Sequence, residues 1–311
     1  MTVGSNSRPD KLLLRAHLCA ICLSLLVLCV TAHALRKWLW FSNGSLETSD
    51  LWVVPAISLF LLLTRKKSIF VVSELRQVFW ALPIAMAGVL IAVRSDLSPT
   101  STPAMATLGI VVALFGAFLT SYGPRIFWRA RFPLLFTIFA IPIPTTLLKV
   151  LVNWLQHGSA AVVQALFWLL RIDFVRSGLR FDFPAFAIEI ASECSGIRSS
   201  FALVVLTVLI AEMVLRSNWR RAVLVAAVLP LVIVKNGIRI VTLTVLAMKV
   251  NPGFLSGQLH HRGGFVFFAV ALGLEGILCW ILARSERGTR EESTALGHHA
   301  TDELVAVPPT E

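Results

Sequence analysis

Three short stretches hold residue types that could together do chemistry. They are "ECSGIRSS" (193–200) with Cys194, "NGIRI" (236–240) with Asn236 and Arg239, and "HHRGGFVFF" (260–268) with His260 and His261. A thiolate is a strong nucleophile, and it forms more readily beside a cation or at a helix N-terminus. Arginine stays charged near neutral pH, so it cannot act as a base, but its guanidinium can hold a developing oxyanion. Histidine can take the thiol proton and later protonate a leaving amine. The three roles are separable, and together they suit acyl transfer through a thioester, either peptide cleavage or transpeptidation. Each residue also has a plain structural reading: a small buried cysteine, an arginine snorkelling from a helix end, a loop histidine.

The elements that must position these residues are strongly apolar. The chain has 311 residues, 57% hydrophobic and 14% charged, with a mean hydropathy of +0.80. A soluble domain has roughly 45–50% apolar and 25% charged residues, so the composition is that of a membrane protein. The net charge of +11 raises nucleic acid as a partner, but in a membrane protein excess Lys and Arg belong to cytoplasmic loops. No nucleic-acid partner is expected. Of the cysteines, Cys19, Cys22 and Cys29 fall in the first apolar segment and Cys279 in the last. No pair has zinc-ligand spacing with histidines, so neither a disulfide framework, a metal site nor a cofactor is expected.

A spanning helix needs about 20 mainly apolar residues. Candidates lie at 17–35, 47–64, 78–94, 104–122, 132–151, 196–214, 222–248 and 264–283. "CVTAHALRKW" is a poor cleavage site, so the first segment reads as a retained helix rather than a signal peptide. With a cytoplasmic N-terminus and alternating spans, more than half of the 28 basic residues fall in five inside clusters. These are Arg8–Arg15, Arg65–Arg76, Arg125–Arg131, Arg216–Arg221 and Arg284–Arg290, which predicts both termini in the cytoplasm. Trp38 and Trp40 beside Arg36 and Lys37 read as an outer aromatic belt. Arg239 then lies about 25 Å up the seventh span at 1.5 Å per residue, near the outer rim of a hydrocarbon core about 30 Å thick. Cys194 opens the sixth span at the same end, and His260 precedes the eighth there. Three residues from three spans share one depth.

Between the fifth and sixth spans, residues 152–195 make an extracytoplasmic or interfacial element. "NWLQHGSAAVVQALFWLL" is amphipathic enough for a surface or re-entrant helix. "RIDFVRSGLRFDFPAFAIEIAS" turns to strand-like alternation, with "SGL" as a turn signal, and predicts a small hairpin. Glu275, an acid inside the last span, is too deep for the site and reads as a helix–helix hydrogen bond or a partner for Lys235.

The three blocks resemble the signature blocks of the exosortase/archaeosortase family, and "PLLFTIFAIPIP" (133–144) and the spacing between blocks extend the resemblance over roughly residues 50–285. The resemblance implies a polytopic, mostly eight-helix membrane transpeptidase. Its substrates would be membrane-anchored exported proteins carrying a C-terminal sorting signal of short motif, transmembrane helix and basic cluster. The Cys-Ser-Gly block makes Cys194 the nucleophile with Ser195 and Gly196 beside it. The Asn-x-x-Arg block supplies Asn236 and Arg239. The His-x-x-x-Gly block supplies His260, with Gly264 four places on; His261 would put Phe265 at the glycine position. Arg198, one turn after the cysteine, is a supporting residue. Two departures stand out. Phe265 replaces a common tryptophan, and Glu193 touches the cysteine, where its carboxylate opposes thiolate formation unless it pairs with Arg198.

The expected fold is thus all-α and polytopic, with about eight transmembrane helices and a small extracytoplasmic hairpin or helix element before the sixth. Residues 1–15 are expected as a cytoplasmic tail, 16–285 as the membrane catalytic domain and 286–311 as a disordered cytoplasmic tail. The expected place is the inner (cytoplasmic) membrane, with the bilayer as partner and the site facing outward. The rival class is a non-enzymatic transporter or assembly scaffold. Transporters often show paired broken helices in matching halves, and the sequence has no such pairing.

Overall fold

The polar breaks in this apolar chain decide where its helices stop. The computed structural model describes residues 7–44, 51–98, 102–184, 186–191, 197–250 and 264–305; for 7–10, 41–44, 198, 264 and 288–305 only the backbone is described. The protein is mostly helical and divides into two compact units, Met1–Lys149 and Val150–Glu311. It is a multi-pass membrane protein. Lys11–Val30, Phe79–Leu97, Pro103–Tyr122, Asn218–Lys249 and Phe265–Arg287 are each long and apolar enough to cross a bilayer. A sixth crossing arises if Arg131–Ala140 and Thr145–Leu169 are taken as one broken span. Val53–Thr64 and Ser199–Val214 are shorter apolar helices. The described residues therefore contain five or six full-length candidates, where the hydropathy of the sequence predicts eight.

The first unit begins with α1 (Ser7–Val30) and α2 (Ala32–Gly44), which a turn at Thr31 separates, and α3 (Val53–Thr64) follows. A short α4 (Lys66–Ile69) leads through two 3-10 turns, Val72–Glu74 and Phe79–Ala81, to α5 (Leu82–Leu97) and α6 (Pro103–Tyr122). Backbone contact sets the α5–α6 pair. A Cβ on Gly88 would sit 2.3 Å from the Ala113 nitrogen, and one on Gly109 would sit 2.5 Å from the Ala92 nitrogen. Lipid is as apolar as leucine, so membrane helices associate through such close packing of small residues. Gly123, at φ 84°, ends α6 and bends the chain into α7 (Pro124–Arg129), which opens on a proline. The same turn lets Arg76 and Val78 donate backbone N–H bonds to the carbonyls of Tyr122 and Thr120.

Arg129 of α7 makes two 2.7 Å bonds to the Glu74 carboxylate and donates to the Ser68 carbonyl. The basic runs at 65–76 and 124–131 thus meet at one end of this unit. α8 (Arg131–Phe136) is anchored by Ser58, whose hydroxyl donates to the Pro133 carbonyl at 2.5 Å. The fifth apolar stretch is not one continuous helix. It breaks at 141–144, the "IPIP" segment, because proline cannot donate to a helix and restricts the residue before it. Trp38 also departs from expectation. It is 7% exposed and donates to the Ala140 carbonyl at 3.0 Å, so it is a core indole, whereas Trp40, 78% exposed, is free for an interfacial role.

The second unit holds most of α9 (Thr145–Leu169), a small sheet, α10 (Ile197–Val214), α11 (Asn218–Lys249) and α12 (Gly264–Val305). One stripe of α9 is buried: Leu155, Ser159, Ala160, Val163 and Phe167. The strand-like stretch forms a three-stranded antiparallel meander of β1 (Val175–Ser177), β2 (Arg180–Asp182) and β3 (Ala187–Glu189), one strand more than a hairpin. β2 pairs Phe181 with Arg176 on one side and Ile188 on the other. Period-two alternation buries Phe181 fully between the more exposed Arg180 and Asp182. Phe181 joins Phe167 of α9, Phe183, Ile190 and Val241 of α11 in one cluster. The sheet is thereby sewn to the ends of α9 and α11. At the other end of α11, Glu286 accepts the backbone N–H groups of Arg216 and Ser217 and lies 3.6 Å from Arg220. α12 runs to Val305. The stretch is rich in Ala, Leu, Glu and Arg, all good helix formers.

Two outcomes follow. Gly109→Val drives a branched side chain into the α5 backbone and should cost about 3 kcal/mol or abolish folding. Gly276→Ala, where a Cβ meets nothing within 4 Å, should be neutral or stabilising by up to about 1 kcal/mol; thermal unfolding in detergent separates the two. The second concerns pH. The Arg129 guanidinium holds the Glu74 carboxyl below its ordinary value of 4.5. The stability that this pair adds over Glu74→Gln should be fully present above pH 4.5 and should vanish as pH falls through the lowered value. Unfolding scans of both proteins against pH test this.

Candidate active site

α11 carries the part of the site that is described in atomic detail. In "VKNGIRI", Lys235, Asn236 and Gly237 are all buried, and Arg239 is half-buried. A helix that simply faced lipid would expose apolar residues here and keep its cations at its ends. The polar residues instead turn inward because neighbouring helices offer partners. Asn236, 1% exposed, donates from Nδ2 to the Ser159 hydroxyl of α9 at 3.0 Å. Gly237 makes that approach possible, since a Cβ there would stand 2.5 Å from Val162 Cγ1. Lys235, 7% exposed, donates from Nζ to the Ser199 hydroxyl of α10 at 2.7 Å. Three helices are thus joined by two side-chain hydrogen bonds from adjacent residues.

The chain that leads to the cysteine block is fixed just upstream. Gln156 of α9 donates to the Ile190 carbonyl at 2.7 Å, and the Ile190 N–H donates to the Leu179 carbonyl. Ile190 itself is 2% exposed in the cluster that includes Phe167 and Val241. Cys194 lies four positions after this anchor and five before Ser199. Cys194, Ser195, Gly196, Glu193, His260 and His261 lie outside the described residues. Arg198 belongs to the first turn of α10 and Gly264 begins α12; their backbones alone are described. Of the residues that the sequence singles out, Asn236 and Arg239 are therefore on one buried stretch of α11. Arg239 lies two residues before Val241, which packs on the sheet.

The sequence reading missed three contributors. Lys235 reads as lipid-facing or supporting, yet it is buried and bonded to α10; its spacing of four from Arg239 was the available signal. Ser159 and Gln156 lie in an amphipathic stretch that reads as a surface or re-entrant helix, and only their polar side chains on the apolar stripe hint at inward partners. Glu275 is not the partner of Lys235. It is 2% exposed and packs against Thr207 of α10, a little over two turns beyond Ser199.

Apolar spanning helices around an inward-facing Lys-Asn-x-x-Arg face, with a small sheet over the same helix ends, define a polytopic membrane protein with an intramembrane polar site. The profile of the transmembrane exosortases matches residues 40–275, and the chain belongs to that family. The family is generally one of membrane cysteine transpeptidases that act on exported proteins with sorting signals. No curated protein and no solved structure matches the chain.

The Asn236–Ser159 bond is testable by itself. Asn236→Ala leaves the Ser159 hydroxyl buried without its donor and should cost about 1–3 kcal/mol. A double-mutant cycle with Ser159→Ala, read by thermal unfolding in detergent, should return a coupling of about 0.6–2 kcal/mol.

Proposed function

We propose that this protein is a cysteine transpeptidase or protease that removes C-terminal sorting signals from membrane-anchored exported proteins. Cys194 Sγ attacks the peptide carbonyl next to the recognised motif. The S–C bond forms, the C–N bond breaks, and the tail helix leaves as an amine. His260 takes the thiol proton and delivers it to that amine. Arg239 holds the oxyanion of the tetrahedral intermediate, and Asn236 orients α11 beneath it. An amine or water then attacks the thioester and restores the thiol.

One observation carries this reading above the others: the Asn-x-x-Arg stretch opens on a buried asparagine, and the adjacent buried Lys235 is bonded through Ser199 to the first turn of the helix that follows the Cys-Ser-Gly block. The upstream anchor at Ile190 supports it from the other side. Eight crossings follow if Val53–Thr64, α10 and the broken 131–169 pair are added to the five long helices. With both termini cytoplasmic, the basic ends at 65–76, 124–131 and 216–221 lie inside. The sheet and Arg239 lie at the outer face of the inner membrane, where a substrate's tail helix can dock beside the bundle. Ser195, Gly196, Arg198 and Gly264 shape the cysteine and histidine blocks.

The test is co-expression with a protein from the same genome that ends in motif, transmembrane helix and basic cluster. Cys194→Ala should abolish its cleavage. Arg239→Lys, which loses the planar fork, and His260→Ala should each lower the rate by at least about 100-fold. Unchanged processing by Cys194→Ala overturns the nucleophile and turns attention to a scaffold.

A further inference from the structure

The end of the first unit where the two basic runs meet holds more positive charge than its own carboxylates can pair. Lys66 and Lys67 of α4, Arg76, and Arg125, Arg129 and Arg131 around α7 are accompanied by a single acid within these runs, Glu74. That acid is already committed, since each of its oxygens accepts a 2.7 Å bond from Arg129. Asp96, the other carboxylate of this unit whose side chain is described, lies at the far end of α5 with His33 and Lys37. Arg125 is exposed and acts on Glu74 through space, without a hydrogen bond to it.

Arg125 lines an open cleft of about 490 Å³ together with Glu74, Pro124, Trp128 and Arg129. The Arg131 guanidinium lies over the Trp128 ring, 5.2 Å from its centre, and helps to hold the indole in place. Trp128 is nevertheless 67% exposed, and Phe79 and Trp80, just after Arg76 in the chain, are exposed as well. Exposed aromatic rings at the ends of spanning helices belong to the layer where lipid headgroups meet hydrocarbon. A soluble anion would use the cations here and leave the rings without a partner. A phospholipid uses both, with its phosphate on a guanidinium fork and its glycerol and upper acyl chains against the rings. Basic pockets at the ends of membrane helices take anionic headgroups in this way. A zwitterionic headgroup would bring a quaternary amine into the same positive field, where the one carboxylate is already bonded to Arg129.

We propose that the cleft between Glu74 and α7 binds the phosphate headgroup of an anionic phospholipid, with Arg125 as the principal contact and Trp128 as the side wall. Lys66, Lys67 and Arg76 supply the surrounding positive field. The site uses no residue of the second unit and stands whether or not Cys194 is the nucleophile there.

The experiment uses the full chain in mild detergent, titrated with dioleoylphosphatidylglycerol or dioleoylphosphatidylcholine, with bound lipid counted by native mass spectrometry. The first lipid bound should show about a tenfold preference for phosphatidylglycerol. Arg125→Gln should weaken that binding about fivefold, the loss expected for one cation beside an anionic headgroup. Arg125→Lys, which keeps the charge, should recover most of it. Arg36→Gln removes the same charge from an exposed position at the other end of the unit, and it should leave phosphatidylglycerol binding within about twofold of the wild type. Both sites are exposed, so all three variants should unfold at the wild-type temperature. Inorganic phosphate in large molar excess should not displace the lipid. Equal binding of the two lipids, or an equal loss in Arg125→Gln and Arg36→Gln, overturns the proposal and leaves net charge as the whole effect. Displacement of phosphatidylglycerol by inorganic phosphate overturns the lipid assignment in favour of a soluble anion.

Discussion

The second unit depends on the demand that hydrocarbon makes of every polar group inside it: each must find its partner within the protein. Asn236 and Lys235 answer that demand in opposite directions, one toward Ser159 of α9 and the other toward Ser199 of α10. Because the two residues are adjacent, α11 cannot rotate to improve one bond without straining the other. Gly237 completes the constraint, since it lets α9 approach closely enough for the asparagine to reach. Each bond adds modestly to stability, typically about 0.6 kcal/mol between membrane helices. Together they set the rotation of α11, and that rotation decides which way Arg239 faces.

The ends of the helices are held by a different kind of bond. Glu286 accepts two backbone N–H groups where α10 turns into α11, and Arg221 pairs with Glu212 across the same corner. Helix N-termini leave such donors without intrahelical partners, and a carboxylate is a good acceptor for them. At the opposite end the sheet substitutes packing for charge, with Phe167 as its centre: Phe174, Phe181 and Phe183 stand 5.6, 5.9 and 5.3 Å from it. Polar latches thus close one end and an aromatic cluster the other, while the hydrogen-bonded trio lies between them.

Much of this was legible in the residues. Hydropathy located the long helices, because burial in lipid selects composition over a length that the bilayer fixes. The types and spacing of Asn236 and Arg239 marked α11 as more than a lipid anchor. Hydropathy could not tell a helix that faces lipid from one that faces another helix. For that reason α9 reads as a surface or re-entrant helix, and hydropathy alone does not show that Ser159 and Gln156 have partners inside. Trp38 shows the same blindness, since an indole at a helix end looks interfacial until its N–H is found on the Ala140 carbonyl. The break at 141–144 was written in two prolines, yet the surrounding apolar run masked it. The inward turn of Lys235 had the weakest signal of all, its spacing of four from Arg239, which a snorkelling lysine can share with a buried one. Only the position of Ser199 on another helix separates the two.

The same arrangement bears on why one face of α11 carries a lysine and an arginine rather than two of either. In the proposed reaction negative charge appears first on the thiol and then on the carbonyl oxygen, two bonds away through the carbon under attack. Arginine presents a planar fork of donors and keeps its charge, which suits an oxyanion that forms and vanishes. Lysine presents a compact charge on a flexible stem that one hydroxyl can fix, which suits a permanent hold on the turn after the cysteine. Exchanging them would leave the net charge of the face unchanged but would put the point charge at the half-buried position and the fork at the fully packed one. There the five donors of a guanidinium would face one serine hydroxyl. The order of the two cations along α11 therefore follows from burial: the group with fewer donors lies where fewer acceptors can be found.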